Sequence, residues 1–239
     1  MKPFWPAVNK VIKYSNIIIE VLDARFPELT RNQEIEDKIK RKKLILVLNK
    51  CDLVDKKEVE AWAKEHNALF VSATKRLGTT MLKRKIISLS KGKTTVGVLG
   101  YPNTGKSSII NVLAGRRAAK TSPQSGYTKG RQLIRMSPNI YLFDTPGVLP
   151  YKEKDELKHS LTSTKDFTKV KDPETVAFEL IKLKKTTIQK FYKLESDDPE
   201  ELLEELGQKL GKLKKGGKVN FDATARIILK DWQRGKIKG

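Results

Sequence analysis

Apolar residues along the chain fall into short runs, separated by longer and partly charged stretches with a three-to-four-residue repeat. The runs at 16–22, 44–48, 68–71, 95–99, 132–136 and 140–143 are β-branched or otherwise apolar, and several are continuous rather than alternating. Continuity of that kind is what strands show when helices cover both faces of their sheet. Between them, 34–42, 56–66, 79–90 and 106–114 space their apolar positions as helices do. Strands alternating with helices predict an open α/β sheet with right-handed crossovers.

Beyond Pro150 the pattern changes. Residues 153–171 are polar and aperiodic and read as a mobile connection. Asp172-Pro173-Glu174 then opens a helix, with Asp as cap, Pro in the first turn and an acid that complements the helix dipole. Asp198-Pro199-Glu200 repeats the signal ahead of Leu202, Leu203, Leu206 and Leu210. A basic loop with Gly216-Gly217 follows, then Asp222 and the apolar positions Ala225, Ile228, Leu229 and Trp232. The expected division is an α/β domain over 1–160 and a small all-helical, RNA-binding domain with a basic tail over 161–239, in which Lys212, Lys214, Lys215, Lys218, Arg226 and Lys230 are contact candidates on charge alone.

Charge adds a partner class. The 239 residues carry a formal net charge of +21, and the surplus is uneven: +16 up to Pro150 and +5 after it. From His66 to Phe143 there is no Asp or Glu, against 14 Lys and Arg. Such density is rewarded by counterion release from phosphates, so a polyanion-binding face, nucleic acid above all, is expected. A Lys-rich solvated surface is the plainer alternative. No apolar run approaches the roughly 20 residues of a membrane span. The opening, Met1 to Asn9, lacks the order of a secretory signal. Cys51 is the one cysteine, and His66 and His159, the two histidines, read as surface residues. No disulfide or Cys/His metal cluster is expected from these, and the chain reads as a soluble, cytoplasmic protein.

The chemistry begins at Gly100-Tyr101-Pro102-Asn103-Thr104-Gly105-Lys106-Ser107, a GxxxxGK[ST] pattern after a predicted strand and before a predicted helix. Its glycines let the backbone curl so that N–H groups face a phosphate, and the helix N-terminus adds a favourable dipole. Lys106 can reach β- and γ-phosphates, and Ser107 offers a hydroxyl to Mg²⁺. Asp144-Thr145-Pro146-Gly147 follows the strand at 140–143. A carboxylate there can hold Mg²⁺ through water, and Gly147 can present its N–H to a γ-phosphate. Thr128, or alternatively Thr121, can close over the metal.

Upstream, Asn49-Lys50-Cys51-Asp52 ends the strand at 44–48, and Ser72-Ala73-Thr74 ends the next. The Asp52 carboxylate can accept from guanine N1–H and its exocyclic amine, donors that adenine does not present in that arrangement. Asn49 can brace the phosphate loop, the Lys50 stem can cover a base face, and the Ala73 N–H can meet guanine O6. Taken singly, Asp52 is equally an ordinary helix cap and Ser72-Ala73 an ordinary turn.

Together, residues 49–52, 72–74, 100–107, 128 and 144–147 resemble the five motifs of a translation-factor-type GTPase, with base recognition placed before the phosphate loop instead of after it. The chain therefore resembles the circularly permuted GTPases of the YlqF/YawG family. Asp23-Ala24-Arg25-Phe26-Pro27 with Thr30-Arg31-Asn32 is similar to that family's DARxP…[ST]RN signature. The resemblance implies a P-loop GTPase fold, a mostly parallel sheet flanked by helices, with a helical appendage. It implies GTP and GDP as ligands of Asn49, Lys50, Asp52, Ser72, Ala73, Thr74, Asn103, Thr104, Gly105, Lys106, Ser107, Ser108 and Gly147. Mg²⁺ would be held by Ser107, Thr128 and Asp144, with Lys106, Thr128, Gly147 and Asn103 acting in hydrolysis. Val148 stands where many such GTPases place a water-orienting glutamine, and in related GTPases an Asn at the Asn103 position ligates K⁺. Slow turnover, stimulated by K⁺ and by a ribosomal partner, is the resulting expectation. The implied partners are the large ribosomal subunit and its rRNA, bound by a monomer with no membrane attachment.

Overall fold

The computed structural model describes residues 4–39, 42–115, 133–143 and 156–238. The chain divides into two compact units, Met1–Glu153 and Lys154–Gly239.

The first unit opens with helix α1 (Phe4–Tyr14), followed by β1 (Ile17–Asp23), α2 (Pro27–Thr30), α3 (Gln33–Lys38), β2 (Lys43–Asn49), α4 (Lys56–Glu65) and β3 (Leu69–Phe70). Then come α5 (Thr79–Leu89), β4 (Thr94–Leu99), α6 (Lys106–Ala114), β5 (Leu133–Ser137) and β6 (Ile140–Phe143). The six strands form one sheet in the order β3-β2-β1-β4-β6-β5, parallel except for the β5–β6 pair. Sequence and structure agree on every strand to within one or two residues at each end.

The continuous apolar runs are explained by burial on both faces. Ile17, Ile19, Val21, Val96 and Val98 pack against Leu82 and Ile86 of α5 and Ile109, Ile110 and Leu113 of α6. On the opposite face, Ile18 and Leu99 pack against Val8 and Val11 of α1 and Ile35 of α3. Helix α1 is an element the periodicity reading missed. Pro6 lies in its first turn, where no intrahelical hydrogen bond is lost. Its close seat explains Gly97, where a Cβ would lie 2.4 Å from Val11 Cγ1 and 2.5 Å from Ser15 Oγ.

The second unit contains α7 (Glu156–Leu161), α8 (Pro173–Tyr192), α9 (Pro199–Lys209) and α10 (Phe221–Gln233). Both expected caps are in place: Asp172 accepts from the Thr175 N–H at 3.1 Å, and Asp198 from Glu200 and Glu201 at 2.8 and 3.1 Å. The core is Val176, Leu180, Ile181, Leu202, Leu206, Ile228, Leu229 and the fully buried Trp232.

The stretch read as a mobile connection is ordered where it is described. It holds α7 and a short 3-10 turn, Phe167–Lys169. Side chains of α10 fix it: Trp232 Nε1 donates to Leu161 O at 3.0 Å, and Gln233 Nε2 to Ser160 O and Lys165 O at 3.2 and 2.9 Å. The expected boundary at 160 cuts through α7, which packs on α8 and α10 within the second unit.

Candidate functional site

Strands β1 and β4 are sheet neighbours, yet the chain leaves β1 toward β2 on one side and β4 toward β6 on the other. Where the strand order reverses, the loops beyond the carboxyl ends part and leave a crevice. The loops after β1, β2, β3 and β4 meet at that crevice, and they carry the residues singled out above.

The loop after β4 has a shape that only its own sequence permits. Gly100 has φ 142°, and a Cβ there would lie 2.3 Å from Val21 O. Gly105 has φ 95°, and its Cβ would strike Asn49 Nδ2 at 2.2 Å. Asn103, at φ 59°, takes the left-handed conformation that Asn tolerates. Thr104 Oγ1 donates to Tyr101 O at 2.9 Å. The buried Lys106 ammonium donates to the same carbonyl at 2.5 Å, which gives the buried charge a partner. Ser107 and Ser108 lie exposed in the first turn of α6.

Asn49 binds three loops together. From the buried end of β2, its Nδ2 donates to Thr104 O at 2.7 Å and its Oδ1 accepts from Ala73 N at 3.1 Å. The brace expected from Asn49 is thus made, but at the cost of a second expectation. The Ala73 N–H, expected to face guanine O6, is committed to Asn49. Beside it, the buried Ser72 Oγ accepts from Lys75 N at 3.1 Å and lies 3.2 Å from the hydroxyl of the exposed Thr74.

Asp52 sits in a 3-10 turn, Cys51–Leu53, and its Oδ1 is buried with no hydrogen-bond partner among the described residues. It does not cap the following helix; Asp55 does, accepting from Lys57 N at 3.0 Å. A buried, unsatisfied carboxylate oxygen costs free energy until a donor arrives. The acceptor atom and the glycine-shaped loop both fit a guanine nucleotide.

Lys50 holds a left-handed backbone, φ 64°, and its ammonium donates to Asp23 Oδ2 at 2.8 Å. Asp23 is also gripped by Arg25, whose Nε and Nη2 donate to its two oxygens at 3.0 and 2.7 Å. Burial pushes the Asp23 carboxyl up, but the Arg25 and Lys50 cations outweigh it and hold it well below the usual carboxylate range. Burial likewise lowers Lys50, against the pull of Asp23.

The DARxP…[ST]RN-like stretch, Asp23 to Asn32, runs from the end of β1 through α2 to the start of α3. In the structure Thr30 Oγ1 accepts from Asp23 N at 3.0 Å and donates to Phe26 O at 2.9 Å, which folds the post-β1 loop onto itself. Asn32 caps α3, and its N–H donates to Glu20 Oε1 at 3.0 Å. Burial pushes Glu20 up to about 8, and its Oε2 has no partner among the described residues. His66, expected at the surface, is half-buried: it lies 2.8 Å from Arg31 Nη1 and stacks on Trp62 at 4.2 Å. Thr121, Thr128, Asp144, Gly147 and Val148 lie outside the described residues. Of the Mg²⁺ ligands implied by resemblance, Ser107 alone is described. No helix among the described residues is long and apolar enough to cross a membrane.

Comparison with known proteins agrees with this geometry. A family model described as 50S ribosome-binding GTPase matches residues 95–212, starting in β4 at the phosphate loop. One described as RsgA GTPase matches 34–152, which includes Asn49–Asp52 and Ser72–Thr74 ahead of that loop. The chain is 42% identical to an uncharacterised GTP-binding protein of Methanocaldococcus jannaschii, covering 98% of this chain and 66% of that protein. It is 34% identical to nucleolar GTP-binding protein 2 of Pneumocystis carinii, covering 99% of this chain and 53% of that one. The chain thus spans about half to two thirds of the length of these relatives. The GDP-bound structure of YlqF from T. maritima superposes with a TM-score of 0.71 at 26% identity, over 96% of this chain and 94% of that one. With a mostly parallel sheet, a glycine-shaped loop after β4 braced by Asn49, and the Asn49-Lys50-Cys51-Asp52 motif preceding that loop in the chain, the protein belongs to the circularly permuted GTPases of the YlqF/YawG family.

Proposed function

We propose that this chain binds GTP and GDP in the crevice beyond β1 and β4, hydrolyses GTP to GDP and phosphate, and uses its nucleotide state to bind and leave immature large ribosomal subunits through their rRNA. It acts as a monomer in the cytoplasm. The observation that carries the reading is Asn49, which ties Thr104 of the phosphate loop to Ala73 of the base-recognition turn beside the unsatisfied Asp52 Oδ1. Asp52 then selects guanine, with Lys50, Ser72 and Thr74 shaping the base side. Backbone N–H groups of residues 103–108 and the Lys106 ammonium neutralise the phosphates. Ser107, Thr128 and Asp144 are the groups that would hold Mg²⁺, and Gly147 would meet the γ-phosphate. Mg²⁺ would supply charge neutralisation at the β- and γ-oxygens. Asn103 is the residue that would hold K⁺.

Ala73 also enters the site by exchange. When guanine O6 arrives, the Ala73 N–H leaves Asn49 Oδ1 for the base, so nucleotide binding and the Asn49 brace are coupled.

Val148 supports one other reading, a guanine-nucleotide-gated RNA-binding scaffold in which hydrolysis is incidental, because valine cannot hydrogen-bond to an attacking water. Turnover with and without large subunits separates the two: the switch reading requires stimulation. For the site itself, labelled GDP is competed with GTP and ATP on the wild type and on Asp52→Asn. GTP alone competes on the wild type, and Asp52→Asn weakens guanine-nucleotide binding roughly a hundredfold or more without unfolding the chain. Competition by ATP would remove the reading. Faster turnover in K⁺ than in Na⁺ is expected, and equal rates would remove the role of Asn103.

A further inference from the structure

We propose that the outer face of α5, with the cleft it forms beside α6, is a docking surface for the sugar-phosphate backbone of folded RNA. This rests on the ribosomal reading above and names the face of the nucleotide-binding unit that serves it.

Helix α5 is amphipathic in an unusual balance. Leu82 and Ile86 are buried in the core under the sheet. Lys83, Arg84 and Lys85 are exposed, and Arg76 is exposed in the turn that precedes the helix. None of these four cations makes an ion pair among the described residues. They have no acid to pair with nearby in sequence, since none occurs between His66 and Phe143.

Beside this face runs a cleft of about 620 Å³ lined by Arg76, Thr79, Thr80, Lys83 and Asn111, among others. Among the described residues the lining supplies two cations, two hydroxyls and an amide, with no carboxylate. Phosphate oxygens and ribose hydroxyls are the groups that match such a set. Met81 and Ile87, 63% and 50% exposed, give apolar footing next to the cations. Unpaired exposed cations gain most from a polyanion, because each phosphate they neutralise releases a counterion.

The second unit spends its charge differently. Arg226, a candidate RNA contact on charge alone, is held by Asp222 at 2.9 Å and by the carbonyls of Phe167 and Val170 at 3.0 and 3.3 Å. Lys182, Lys185 and Lys236 each pair with a carboxylate at 2.7–2.8 Å. Lys212, Lys214, Lys215 and Lys218 lie exposed in the loop before α10 and form the matched comparison.

The test uses the full chain and a protein-free large-subunit rRNA transcript, with affinity measured across a salt series. The triple variant Arg76→Glu, Lys83→Glu, Arg84→Glu is expected to lose at least tenfold in affinity. Its slope of log K against log salt should flatten by about two to three. GDP affinity and melting temperature should stay at wild-type values, and the corresponding Gln variant should show an intermediate loss. The matched variant Lys212→Glu, Lys214→Glu, Lys215→Glu should lose less. Wild-type affinity in the α5 variant would overturn the proposal and leave the ribosomal reading standing. Equal losses in both triples would also overturn it, because net charge alone would then account for binding. Absence of wild-type binding to both the transcript and intact large subunits would remove the ribosomal reading itself. Unchanged RNA binding combined with loss of a ribosomal-protein crosslink would assign the face to protein instead.

Discussion

The two units use polar side chains for opposite ends. In the first, buried polar groups connect loops far apart in sequence, Asn49 to Thr104 and Ala73, and Asp23 to Lys50, while the cations of α5 face solvent with no ion pair among the described residues. In the second, almost every polar interaction secures the unit's own fold: caps at Asp172 and Asp198, and α10 gripping the connector through Arg226, Trp232 and Gln233. Charge counted along the sequence made both units candidates for RNA. Geometry narrows them: Arg226, Lys182, Lys185 and Lys236 are already committed to carbonyls or carboxylates, which leaves the exposed lysines of the loop before α10 as the second unit's counterpart to the α5 cations.

The contrast can be broken most severely at Arg25. Arg25→Ala removes the bidentate partner of the buried Asp23 and leaves it the Lys50 contact at 2.8 Å, so the cost lies below the 3–5 kcal/mol of a fully stranded charge, at about 2–3 kcal/mol. Denaturant unfolding should show this as the largest loss of stability among the single substitutions considered. The comparable change in the second unit, Arg226→Ala, should cost only about 1–2 kcal/mol, since Asp222 remains solvated. Equal costs would mean that the distinction between the two networks is wrong.

Asn49→Ala comes next. It removes two hydrogen bonds among buried groups, which costs about 2–3 kcal/mol, and it frees the phosphate loop from the base-recognition turn. Calorimetric titration with GDP should show weaker binding even where the variant is folded. Binding at wild-type strength would show that the brace is structural only.

Glu20 sharpens the comparison through pH. Burial raises its carboxyl from 4.5 to about 8 in the folded chain. Between those values the folded state holds a proton that the unfolded state has released. Stability from this group is therefore full below about 4.5, falls as pH rises, and levels off above about 8. Glu20→Gln should flatten the pH dependence of unfolding across that window. An unchanged profile would place the titration elsewhere. The smallest effects belong to the surface: Lys83→Ala and Lys212→Ala should each change stability by less than about 0.5 kcal/mol. Only the former should weaken RNA binding measurably.

What could be read from the sequence follows the range of the interactions involved. The phosphate loop was legible because its glycine spacing encodes a local backbone shape, borne out at Gly100 and Gly105. The strands were legible because burial on both faces writes continuous apolar runs. Helix α7 and the 3-10 turn were not, since they are held by Trp232, Gln233 and Arg226 from 56 to 73 residues away and leave no local period. The Lys50–Asp23 bond spans 27 residues, so both motifs could be seen but not their union. For Asp52 the sequence shows a carboxylate at the end of a strand; its unsatisfied buried oxygen is a property of the fold.

The central claim is that nucleotide state controls attachment to the large ribosomal subunit. Sedimentation of the full chain with purified large subunits, in GDP and in a non-hydrolysable GTP analogue across a salt series, tests it most directly. The account predicts stronger binding with the analogue, surviving moderate salt. Equal, salt-labile binding in both states would contradict it and reduce the attachment to the attraction of a +21 chain for any RNA.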